Sequence, residues 1–110
     1  MRLRPEQLEA FNRAAREDFH DRLVAFLRAE LAVPTAQLSD AELLGHITAC
    51  ERRAAQYDIT SEAGIAQWTC LAMVAGPHFD ETPEVKAYLT LPGPSTAEER
   101  LAELADEFAQ

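Results

Sequence analysis

Between Pro5 and Leu31 the apolar residues Leu8, Phe11, Ala15, Phe19, Leu23, Phe26 and Leu27 recur three or four positions apart without a break. That spacing makes one stripe along an α-helix, and a strand, whose side chains alternate with a period of two, does not fit it. Pro5 suits a first helical turn, where its missing N–H has no partner to lose, and Glu6 and Glu9 lie near the positive end of the macrodipole. Pro34 is expected to stop the helix, since the residue before a proline avoids the α region. A helix of about 26 residues is roughly 39 Å long. A small bundle needs less, so one end is expected to project or to dock on a partner.

The remaining chain is punctuated in the same way. Ser39-Asp40-Ala41-Glu42 reads as a capping box opening a helix that carries Leu43, Leu44, Ile47, Cys50, Ala54 and Tyr57 on one side. Gly45 inside it costs about 1 kcal/mol against alanine, which points to close approach by another helix. Thr60 or Ser61 caps a third helix bearing Ile65, Trp68, Leu71, Ala72 and Ala75, and Gly76-Pro77 ends it. Thr82-Pro83-Glu84 starts a short fourth helix with proline at its first position. After the rigid turn Leu91-Pro92-Gly93-Pro94, Ser95-Thr96-Ala97-Glu98 reads as a second box, ahead of Leu101, Leu104, Ala105 and Phe108. Caps, stops and periodicity agree on an all-α fold: residues 1–110 form a single-domain bundle of about five helices with a long first helix.

The 110 residues suffice for one hydrophobic core without a staple, and 47% apolar content excludes wholesale disorder. Much of that content is alanine, so the core should be thin. No run reaches the ~18 apolar residues of a membrane-spanning helix, and the opening Met1-Arg2-Leu3-Arg4-Pro5 is not an apolar leader, so a cytoplasmic protein with no membrane partner is expected.

Few residues offer chemistry. Glu17 and His20 form an E-x-x-H pair as in di-iron carboxylate bundles, but the second such pair those sites need is missing, His46 pairing with Glu42 and His78 lying in a turn beside Asp80. Cys50 and Cys70, 20 residues apart, fall in helix interiors, where nothing lowers a thiol pKa, and read as small reduced core residues. The serines serve as caps, paired carboxylates such as Glu98/Glu99 and Asp106/Glu107 look like solvated faces, and the four glycines form no phosphate loop. No catalytic residue, cofactor or metal is therefore expected.

Charge is the remaining signal. The net charge of −9 argues against nucleic acid as a partner. Residues 1–56 hold 8 basic and 9 acidic side chains, residues 57–110 hold 2 and 10. So uneven a field can steer a basic partner to one end of the molecule. Asp80, Glu81, Glu84, Glu98, Glu99 and Glu103 are the expected contact residues, joined by Phe79 if its ring is exposed rather than plugging the end of the bundle. Trp68, flanked by Ile65, Leu71 and Ala72, reads as core before interface anchor.

The stretch Arg53-Ala54-Ala55-Gln56-Tyr57-Asp58-Ile59-Thr60-Ser61-Glu62, with Ala75-Gly76-Pro77-His78-Phe79-Asp80 after it, resembles a group of small helical proteins encoded near type VI secretion and other polymorphic-toxin genes of proteobacteria. Their pattern is a Tyr-Gly-Ile-like turn, a glutamate at the next helix start, and Gly-x-x-Phe-Asp. Tyr57, Ile59, Glu62, Gly76, Phe79 and Asp80 match it, and Asp58 stands where the group has glycine. The likeness spans roughly residues 10–90. It implies an accessory of an effector locus, either an immunity protein or an adaptor or chaperone that binds a toxin, and it carries no catalytic residues. Two other readings are a structural protein whose first helix pairs with its own copy, and a metal-dependent enzyme using His20.

Overall fold

The computed structural model describes residues 5–109, with side chains described at 5–6 and 13–107. Leu8, Glu9, Phe11 and Phe108, and the opening residues 1–4, lie outside that description. Six α-helices and one 3-10 turn follow one another: α1 (Pro5–Glu30), α2 (Ala32–Thr35), α3 (Asp40–Ala55), α4 (Glu62–Ala75), the 3-10 turn Phe79–Glu81, α5 (Pro83–Leu89) and α6 (Ala97–Ala109). The fold is all-α and a single domain, with five principal helices where periodicity and caps place them.

The sixth helix is a consequence of where α1 ends. The chain breaks at Leu31 (φ −123°, ψ 56°), three residues before Pro34, and Pro34 falls in the first turn of α2, where a residue without an N–H forfeits no bond. Arg28, in the last turn of α1, organises this corner. It donates to the carbonyl oxygens of Thr35 (3.1 Å) and Leu38 (2.9 Å) and to the Asp40 carboxylate (2.6 Å) at the start of α3. The Ser39 box forms as expected: Glu42 N–H donates to Ser39 Oγ (3.1 Å) and Ser39 N–H to Glu42 Oε1 (3.3 Å).

Packing separates into two apolar clusters joined by α3 and α4. In the first, Phe19, Leu23 and Leu27 of α1 meet Leu43 and Ile47 of α3 and Ile65 of α4. In the second, Cys50 and Ala54 of α3, Trp68 and Leu71 of α4, Phe79, Leu89 of α5 and Leu101 and Leu104 of α6 close around Ile59. The Cα radius of gyration is 15.3 Å, above the ~13 Å of a compact chain of this size. Extents of 46 × 39 × 19 Å make the molecule a slab about two helices thick, which accounts for two small cores in place of one. Leu27, Leu43 and Ile47 are fully buried, each worth about 1.5–3 kcal/mol relative to exposure, and this packing holds α1 in place. Residues 13–18 are exposed, as is Phe26, and among the described residues of the stripe Phe19, Leu23 and Leu27 are the ones that pack.

The α3–α4 corner depends on Asp58. Ile59 N–H donates to Ala54 O (3.0 Å) and Asp58 N–H to Ala55 O (3.1 Å), the paired bonds of a Schellman motif. Such a motif needs a left-handed residue, and Asp58 supplies it with φ 62°. Aspartate tolerates that region better than most side chains, although glycine takes it without strain. Ser61, rather than Thr60, then caps α4 by accepting from Gly64 N–H (3.0 Å).

Gly45 departs from expectation. It is exposed, and a Cβ built on it would meet nothing within 4 Å, so no helix approaches there. The close approach is at Gly64, where a Cβ would lie 2.6 Å from Ile59 Cγ2 and 3.1 Å from Glu98 Oε1.

Candidate functional site

Two of the expected contact residues are inside the protein. Phe79 is 5% exposed and stacks obliquely on Trp68, ring centroids 4.8 Å apart, so it plugs the bundle and presents no ring to a partner. Asp80 is 2% exposed. A carboxylate so buried needs partners, and the last turn of α3 and the turn just after it provide them. Arg53 clasps both oxygens, Nη2 at 2.8 and 2.9 Å and Nε at 3.1 Å, and Tyr57 donates its hydroxyl to Oδ2 (3.3 Å). Burial first, and the nearby Asp80 charge second, push the Tyr57 phenol above its ordinary value, keeping it a donor. The 3-10 turn brings Phe79 and Asp80 together as adjacent inward-facing residues, one apolar and one ionic. Their work is to fasten it to α3 and α4.

Glu98 and Glu99 are also committed, in a different register from the one expected. The box at the start of α6 is Thr96–Glu99: Glu99 N–H donates to Thr96 Oγ1 (3.1 Å), and Thr96 N–H to Glu99 Oε1 (3.3 Å). Glu98, released from capping its own helix, accepts from Thr60 N–H (3.2 Å) and Ser61 N–H (3.1 Å) at the start of α4. These bonds hold its carboxyl below the ordinary glutamate range, the Ser61 N–H contributing most. Glu98 is therefore a tether between α6 and α4.

Three expected residues face outward. Glu81 reaches Arg53 (3.3 Å) and lies 3.8 Å from His78. Glu84 and Glu103 are exposed on α5 and α6, and the Tyr88 hydroxyl donates to Glu103, which raises the phenol's pKa. Glu84 and Glu107, with Val85, Tyr88 and Leu104, line a shallow groove between the two helices. Asp106 and Glu107 are exposed. Among the described residues none of Glu84, Glu103, Asp106 and Glu107 takes part in an ion pair. The acidic half is thus divided between an exposed edge and an interior.

Two larger concavities also carry polar groups. A cleft of about 790 Å³ opens between the α3–α4 corner and the loop before α6, lined by Asp58, Thr60, Ser95, Glu98 and Arg100 among others. Arg100 is 7% exposed and donates from Nη1 to Leu91 O, pinning the proline-rich turn. A second, of about 510 Å³, lies between the C-terminal ends of α3 and α4, against Cys50, Met73 and Pro77, with His46, Arg52 and His78 at its edge. Burial pushes the Cys50 thiol up, and a Thr69 hydrogen bond offsets this in part, so the thiolate a nucleophile requires is disfavoured. Burial raises Cys70 as well. His20 of the E-x-x-H pair turns from Glu17 and contacts Glu51 of α3 through Nε2. Among the described residues no three His, Cys, Asp or Glu side chains converge as a metal-holding group, and no helix is long and apolar enough to cross a membrane.

Arg53, Tyr57 and Arg100 carry the buried polar structure and stand outside the expected set. Arg100 had a sequence signal: it falls four positions before Leu104 and three after Ala97, on the stripe that α6 turns inward. Arg53 shares a face with Gln56 and Tyr57, and only its partner across 27 residues shows that it is an anchor. The chain matches no protein-family model, and neither curated proteins nor solved structures give a match to it.

Proposed function

We propose that the chain is a non-catalytic binding protein whose α5–α6 edge docks on a partner protein with a basic surface. The observation that carries this reading is the edge itself: Glu84, Glu103, Asp106 and Glu107 project into solvent with no ion-pair partner among the described residues. Unneutralised carboxylates on two adjacent helices raise the local potential and speed encounter with a cationic surface, in a salt-dependent way. Together with the resemblance of its central stretch, this supports a cytoplasmic accessory of a secretion or toxin locus, acting on an effector as an immunity protein or as an adaptor or chaperone.

The test is a pull-down from the native host with the wild-type chain and with Glu84→Lys/Glu103→Lys/Glu107→Lys, after circular dichroism shows both folded. The partner retained by wild type should bind the variant at least about tenfold more weakly, and wild-type affinity should fall as salt rises. Equal retention by both chains, insensitive to salt, overturns the proposal. A second reading rests on the exposed residues 13–18 of α1, which offer a helical face to a second copy. Light scattering decides it, since a strict monomer at high concentration removes self-pairing.

A further inference from the structure

Arg100 combines a charge, near-complete burial and an open cavity. Ionised side chains are seldom buried without a counter-charge, because one carbonyl oxygen does not replace the water a guanidinium gives up. Arg100 is 7% exposed, and among the described residues it forms no ion pair; its one hydrogen bond, from Nη1 to Leu91 O, uses one of five N–H donors. The turn that carries Leu91 runs past the same guanidinium, since a Cβ built on Gly93 would lie 3.6 Å from Nη2. Among the described residues, Trp68 Nε1 is the single buried side-chain nitrogen or oxygen with no partner, so the remaining Arg100 nitrogens keep contact with open space. The space against which Arg100 lies is the cleft of about 790 Å³.

We propose that this cleft binds a ligand through a single carboxylate held by the Arg100 guanidinium. Arginine's planar fork matches carboxylate and phosphate alike. Local charge favours the former: Asp58 and Glu98 also line the cleft, and two fixed negative charges oppose a dianionic phosphate more than a monoanion. Gln56, Thr60 and Ser95 add side-chain amide and hydroxyl groups that make no hydrogen bond among the described residues, suited to the neutral part of such a molecule. The carboxylate can belong to a small free acid or to the C-terminal end of a peptide. The site is separate from the acidic α5–α6 edge, and its existence does not depend on that edge binding anything.

The test follows amide resonances of the intact protein, at constant chloride, as acetate, N-acetylalanine and N-acetylalanine amide are titrated in turn. N-acetylalanine should shift Thr60, Ser61, Leu91 and Arg100 saturably, and the amide should leave them in place. Acetate binding as tightly as N-acetylalanine identifies a small-acid site, whereas tighter N-acetylalanine binding identifies a peptide-end site. Arg100→Lys keeps the charge but loses the fork, and should weaken N-acetylalanine at least about tenfold. Gln56→Glu, at an exposed position, adds a negative charge to the cleft and removes an amide donor, and should weaken it about threefold or more. The proposal is overturned if the amide shifts the same resonances as the acid, if no carboxylate gives a saturable shift, or if Gln56→Glu binds as wild type does.

Discussion

The two clusters of this slab are held by different physics. Around α1 the contacts are mainly aliphatic, Leu23, Leu27, Leu43, Ile47 and Ile65 with Phe19, and the ion pairs Arg22 makes with Asp18 and Glu62 are exposed. Such packing is non-directional and holds a long helix well, because many side chains share the load. The other cluster must secure a one-turn 3-10 helix, the seven-residue α5 and the 13-residue α6, and α5 buries Leu89 alone. Helices that short are not stable by themselves. Directional ties hold them instead: Arg53 and Tyr57 to Asp80, Glu98 to the start of α4, Arg100 to the turn before α6. Where a short helix buries little apolar area of its own, directional hydrogen bonds set the geometry.

Substitutions that separate the two modes probe this contrast. The largest effect is expected at Trp68, the fully buried ring between Tyr57 and Phe79: Trp68→Ala should cost about 3–5 kcal/mol by denaturant unfolding, and a loss under ~1 kcal/mol would show that the aromatic stack does not hold the second cluster. Next is Asp80→Ala. It leaves the Arg53 guanidinium, whose side chain is 26% exposed, with the exposed Glu81 as its remaining carboxylate, so about 2–3 kcal/mol is expected, below the full range for a wholly buried pair. Asp18→Ala, which removes an exposed pair beside the first cluster, should change stability by no more than about 0.5 kcal/mol. Equal effects at Asp18 and Asp80 would erase the contrast.

The two glycines give opposite signs. Gly64→Ala drives a Cβ into the fully buried Ile59 side chain and should destabilise by about 1–3 kcal/mol, whereas Gly45→Ala meets open space and should stabilise by about 1 kcal/mol. Thermal unfolding of both variants reads the signs directly. The smallest effect is a pH dependence. The Glu98 carboxyl titrates lower in the folded chain than its ordinary value of 4.5, so its stabilisation is present above that value and is lost as pH falls through the folded one. Glu98→Gln should flatten the acid limb of the stability–pH curve, and an unchanged slope would show that the tether is not felt in solution.

Several features were legible because their causes are local. The Ser39 box, proline at the start of α5, Gly76 after α4 and the inward stripes of α3 and α6 each depend on residues within one or two turns. The Ser95 box failed by one position for a reason that is not local. Ser95/Glu98 and Thr96/Glu99 both satisfy the pattern, and what decides between them is that Glu98 is drawn to Ser61 N–H, 37 residues away. Gly45 and Gly64 look alike in sequence for a similar reason: a glycine's neighbours across the fold determine whether its missing Cβ matters. The acidic count of residues 57–110 also could not tell Asp80, enclosed by Arg53, from Glu84, which stands in solvent.

What the sequence determined by itself was the all-α class, the number of principal helices and most of their starts, because hydrophobic period and capping are properties of contiguous residues. The tertiary structure alone decided which charges work inside and which outside. A carboxylate's environment depends on partners tens of residues distant, and the surroundings that make Asp80 a fastener, Glu98 a tether and Arg100 a cation facing a cleft exist only once the helices have met.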